Sequence, residues 1–132
     1  MSDKRINIDA AFKKMSDIAG FEGIVFISGQ GMVLAAKFAE GTVPAKAADG
    51  VAACVKDLED LIKKVTATRL EELSVKGQAR TVIFLRNRAL GFLTVVFGRE
   101  SMHPGLAWLK ARETMEALEK SLDQLLSKQP GE

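Results

Sequence analysis

Three short segments of this chain are apolar at odd and even positions alike, and that narrows the folds open to it. They are GIVFI at 23–27, TVIFL at 81–85 and FLTVVF at 92–97. A strand with one wet face alternates apolar and polar side chains, whereas a strand covered on both faces does not. All three fall far short of the roughly 20 residues needed to cross a bilayer. They read as inner strands of a sheet that carries helices on both sides.

The rest of the chain supplies those helices and the outer strands. Ile8, Ala11, Phe12, Met15 and Ala19 recur at helical spacing and predict a short helix over residues 8–19, with Gly20 as its stop. Residues 22–28 and 32–38 flank Gly29 and Gly31 and predict a hairpin. Thr42 as a cap and Pro44 in the first turn open a long helix over residues 44–67. Val51, Val55, Leu58, Ile62 and Val65 line its apolar face. Residues 70–76 place Leu73 and Val75 on one face and Glu72, Ser74 and Lys76 on the other, as in a charged edge strand. Strands at 79–85 and 89–97 follow around a turn at 86–88, and Pro104 starts a last helix. Its stripe holds Ala107, Trp108, Ala111, Met115, Leu118, Leu122, Leu125 and Leu126, and the tail after it frays.

The order is α-β-β-α-β-β-β-α, with strand links short enough to make every pairing antiparallel. The expected fold is α/β of the α+β kind, a three-layer sandwich around a five-stranded antiparallel sheet. The middle helix covers one face and the two terminal helices the other. The 132 residues fit one domain over 1–132, with an ordered core at about 8–126.

Composition and single residues point away from chemistry. A formal charge of +2 is too small for a nucleic-acid footprint, and no apolar h-region follows the N-terminus to make a secretory signal. The single cysteine, Cys54, forms no internal bridge, so a reducing, cytoplasmic setting is expected. Cys54 sits beside Val51 and Leu58 and is expected to behave as a small apolar residue. His103, the one histidine, precedes Pro104 and is expected at the surface or as a helix cap. One His and one Cys in distant elements fall short of a zinc site. Gly29 and Gly31 lead into a strand, whereas a phosphate cradle runs into a helix N-terminus. No catalytic, cofactor or metal residue is assigned, and the chain is expected to bind and not to catalyse.

Two features carry the binding expectation. Ala47, Gly50, Cys54 and Leu61 form a stripe at one side of the long helix, and three of the four are small. Small side chains admit a second helix, although close packing on the chain's own sheet uses the same pattern. Arg86 and Arg88 flank a hairpin tip, where they either contact a partner or keep a solvated turn polar.

The short helix, the GIVFISGQGMVLA hairpin at 23–35, the long helix, SVKGQARTVIFL at 74–85, LGFLTVVF at 90–97 and the GLAWLK helix at 105–110 together resemble the roadblock / dynein light chain family. The resemblance covers about residues 8–126 and is to a bacterial or archaeal-type single-domain member. Profilin and longin share parts of the same order. The resemblance implies a profilin-like sandwich and a dimer, homotypic or heterotypic, built on the middle helix and third strand with a continuous ten-stranded sheet. Its joint would use Ala47, Gly50, Cys54 and Leu61 with Leu73 and Val75. It also implies a regulatory partner role toward a Ras-like small GTPase, but it carries over no GTPase-contacting residue; an arginine finger, if such a regulator used one in place of rearranging the GTPase, would fall to Arg86 or Arg88. A nucleotide-indifferent scaffold subunit of a motor or signalling complex is the alternative, and a small-ligand sensor the third. Nothing in the chain resembles a GTP-binding loop, which makes it the regulator of such a pair.

Overall fold

The computed structural model describes residues 7–39, 46–68, 70–87 and 91–128, with side chains described for all of these except 46–48 and 121–128. The elements are α1 (Ile8–Met15), β1 (Phe21–Ile27), β2 (Val33–Phe38), α2 (Lys46–Thr66), β3 (Glu72–Lys76), β4 (Arg80–Arg86), β5 (Leu93–Arg99) and α3 (Pro104–Lys128). Their order is the expected one. Thr42 and Pro44, expected to open α2, lie outside the described residues, as does Arg88.

The five strands form one sheet in the order β2-β1-β5-β4-β3, and every neighbouring pair is antiparallel. The register explains why the inner strands are apolar throughout. Ala36, Val25, Val95, Phe84 and Leu73 align in one row across the sheet, and Lys37, Ile24, Val96, Ile83 and Ser74 align in the next. Successive rows point to opposite faces. The first faces α2, where Val25, Val95 and Phe84 pack with Ala52 and Val55. The second faces α1 and α3, where Ile24, Val96 and Ile83 pack with Met15, Ala107, Ala111 and Met115. Each large side chain so buried contributes about 1.5–3 kcal/mol of transfer free energy. One helix therefore covers one face and two cover the other, as the doubly apolar strands require.

Two departures from the sequence reading have local causes. The helix α1 ends at Met15 and not at Ala19: the Ser16 amide still reaches the Phe12 carbonyl at 2.9 Å, but the Ile18 amide donates only three residues back, to the Met15 carbonyl at 3.1 Å. Gly20 does adopt a left-handed conformation, φ +89°, but in the turn into β1, where its carbonyl accepts from the Arg99 amide at 2.8 Å. The strand β5 begins at Leu93 and not at residue 89, and Gly91 at φ +77° stands in the turn before it.

One acidic side chain is buried at the far end of the sheet. Arg80 and Arg99 face each other across β4 and β5, a repulsive pairing on its own. Glu22 of β1, 3% exposed, lies between them, with Oε1 3.0 Å from Arg80 Nε and Oε2 3.8 Å from Arg99 Nε. These are ion contacts, and Glu22 offsets the like-charge pair.

Candidate interaction surface

The helix α2 carries more apolar surface than the sheet can cover. Ala52 and Val55 are buried, and Val51 and Leu58 are half-buried against the same cluster. Beyond them the apolar arc continues into solvent, with Leu61 55% and Val65 74% exposed. Val65, expected on the covered face, instead stands clear of it. At 100° per residue Val65 lies about 40° from Leu61 on the helix wheel. Both belong to one exposed strip.

Gly50, Cys54 and Leu61 fall within about 40° of one another on that wheel. All three are exposed, Cys54 included. A Cβ built on Gly50 meets nothing within 4 Å. Internal packing therefore gives no reason for this glycine. Ala47 lies in α2, but its side chain is not described.

The edge strand β3 closes the sheet on one side. Leu73 is half-buried against the α2-facing cluster, while Val75, on the same face, is 47% exposed. The six residues expected at a joint thus divide: Gly50, Cys54, Leu61 and Val75 are exposed, Leu73 is half-buried, and Ala47 stays open. Sequence reasoning missed Val65 as a surface residue, because its helical spacing from Leu58 and Ile62 assigns it to the covered face.

Arg86 corrects the sequence reading. Its side chain is 3% exposed, ion-paired to Glu59 of α2, and its Nε donates to the Leu70 carbonyl at 2.7 Å. The Arg86 backbone amide also donates to the Glu71 carbonyl at 2.8 Å. Alternation along β4 turns this side chain toward α2, because Arg86 pairs with Leu93 on that face. It ties the helix to the segment leading into β3, and its guanidinium is engaged there and not at a solvated hairpin tip. Asn87 is also buried, and its amide donates to Glu119 of α3 at 2.8 Å. The turn after β4 is thus built inward at residues 86 and 87.

His103 caps α3: its Nδ1 accepts from the Leu106 amide at 3.1 Å. Gly29 and Gly31 sit in the β1–β2 turn, where the Ser28 amide donates to the Met32 carbonyl at 2.8 Å. Among the described residues no group of three or more His, Cys, Asp or Glu is arranged to hold a metal. A cleft of about 240 Å³ opens beside β3, lined by Glu71, Glu72, Arg112, Glu116 and Glu119 among others. None of the described helices is long and apolar enough to cross a membrane.

No protein-family model and no curated protein matches the sequence. Solved structures do match the fold. The gliding protein MglB from Thermus thermophilus superposes at TM-score 0.73 and 17% identity, covering 94% of this chain and 95% of that one. A Roadblock/LC7 domain from Streptomyces avermitilis matches at TM-score 0.71 and 12% identity over 89% and 98%. The fold is that of roadblock/LC7. Acanthamoeba castellanii profilin II shares it more distantly, at TM-score 0.50 and 18% identity over 84% and 92%. The roadblock/LC7 fold and the profilin-like layering expected from the sequence are both present. A fold by itself hosts unrelated functions, so function has to be argued from the surface.

Proposed function

We propose that this chain is a non-catalytic, self-associating regulator of a Ras-like small GTPase, working in the cytoplasm. The observation that carries the proposal is the exposed apolar strip of α2, Leu61 and Val65 beside Gly50 and Cys54, next to the open edge of β3 on a roadblock/LC7 fold. Exposed apolar area of this kind marks protein contact more often than chemistry. An unpaired edge strand beside it extends the contact with backbone hydrogen bonds. The GTPase role comes from the family resemblance in the sequence, and the MglB-like structure supports it at the level of fold.

Two measurements test the proposal. Sedimentation of the purified chain reads self-association, with a dimer expected. Affinity capture is then run against small GTPases of the source cell, loaded with a non-hydrolysable GTP analogue or with GDP. Capture of a Ras-like GTPase in one nucleotide state supports regulation. Capture indifferent to nucleotide, or of a motor or signalling complex without a GTPase, replaces regulation with the scaffold reading.

A further inference from the structure

Two like charges stand side by side on the sheet, and stability gives no reason for them. Arg80 lies directly opposite Arg99, which brings their Cβ atoms to about 4.5–5.5 Å of each other. By the alternation of their strands both belong to the face that carries α2, one step beyond Val82 and Phe97. An uncharged residue at either position would remove the repulsion. The fold instead keeps both arginines and buries the Glu22 carboxylate against them. Burying that charge has a desolvation cost, which ion contacts do little more than balance.

A bulge places the carboxylate. In the β1–β5 ladder Phe21 stands opposite Gly98 and Gly23 opposite Phe97, so Glu22 is an extra residue with none opposite it. Phe21 packs with the cluster under α1 and α3, whereas a Cβ on Gly23 would meet Phe38 on the α2 side. A regular strand would put residues 21 and 23 on one face. The bulge breaks that alternation, and such bulges re-aim a side chain. Here the side chain is that of Glu22, which reaches both arginines.

We infer that Arg80 and Arg99, positioned by Glu22, form a fork that recognises a carboxylate-bearing segment of a partner protein. Guanidinium groups suit this chemistry, because each is planar and offers parallel N–H donors to a carboxylate. The two side chains are 42% and 67% exposed, within reach of a partner. Arg99 Nε stands 3.8 Å from Glu22 Oε2, outside hydrogen-bond range, so Glu22 holds this guanidinium by charge without taking its Nε–H donor. Two cations around one carboxylate favour an acidic occupant. Val82, two residues after Arg80 on the same face, lies opposite the exposed Val75, so the fork borders the apolar surface described above. The inference rests on the partner-binding reading and adds the chemistry of the partner's surface. Its test needs neither a GTPase nor a dimer, so the two fail separately.

The full chain is titrated with a blocked polyglutamate peptide while NMR follows the Arg80 and Arg99 Nε–H signals. Both signals should shift. Affinity should fall about tenfold in R80K and in R99K, which keep the charge and lose the planar donors. E22Q separates positioning from net charge. It removes a negative charge, so attraction alone would tighten binding, whereas lost positioning weakens it, the result expected here. Thermal unfolding checks that each variant folds, and R99K, at a 67% exposed side chain, decides the matter should E22Q unfold. Tighter binding by E22Q, lysine variants equal to wild type, or unmoved arginine signals overturn the fork. Equal or stronger binding of inorganic phosphate, or of phosphatidylserine vesicles, overturns a protein carboxylate as its ligand.

Discussion

Arg86 of β4 and Glu59 of α2 form an ion pair beneath the helix, with the guanidinium side chain 3% exposed and the carboxylate side chain 29%. The pair joins the two elements that bear the proposed interaction surface. The same arginine reaches the Leu70 carbonyl, at the start of the segment that becomes β3. A buried cation of this kind contributes little net stability when satisfied and costs a great deal when one partner is removed.

Arg86→Ala should lower the unfolding free energy by about 3 kcal/mol, the low end for breaking a buried pair, since the partly exposed Glu59 regains water. Urea denaturation measures it. A loss below about 1 kcal/mol would show that the pair is not a tie between helix and strand.

Gly50 separates association from folding. A Cβ there meets nothing within 4 Å, so Gly50→Ala should stabilise α2 by about 0.5–1 kcal/mol through helix propensity alone. Gly50→Glu should keep the fold and place a charge on the apolar strip. Sedimentation should then find monomers. An unchanged dimer would move the contact away from this side of α2.

His103→Ala removes the acceptor at the start of α3. The Leu106 amide loses its 3.1 Å partner, and stability should fall by about 1 kcal/mol, as for other lost helix caps. Thermal unfolding reads this, with the oligomeric state unchanged.

Gly23→Ala tests a close approach inside the sheet. The added methyl would lie 2.1 Å from the Phe38 ring, which packs edge-on to Phe97 at a centroid distance of 5.4 Å. The ring must leave that contact, at a cost of about 1–3 kcal/mol. Denaturant unfolding gives the value, and near-ultraviolet circular dichroism reports the displaced ring.

Much of the fold was legible because helical and strand periods are local. The period of Ile8, Ala11 and Met15 identified α1, and the doubly apolar inner strands demanded a helix layer on each face. Ends were less legible. The helix α1 stops at Met15, where the next backbone bond closes a three-residue turn from Ile18 to Met15, a change that periodicity does not encode. The candidate surface was half legible: helical spacing grouped Gly50, Cys54 and Leu61, but could not say whether the group faced the sheet or solvent. Val65 follows Leu58 and Ile62 at helical spacing, which assigns it to the covered face, yet it stands 74% exposed.

The sequence by itself determined which residues alternate, which pair of faces must be covered, and the E-L-S-V-K pattern of the edge strand. Tertiary structure alone decided that β1 lies against β5, that Arg86 turns inward, and that one side of α2 stays bare. The physical reason is range. Side-chain period is a property of neighbouring residues, whereas strand order and exposure depend on what segments far apart in the chain bring to the same place.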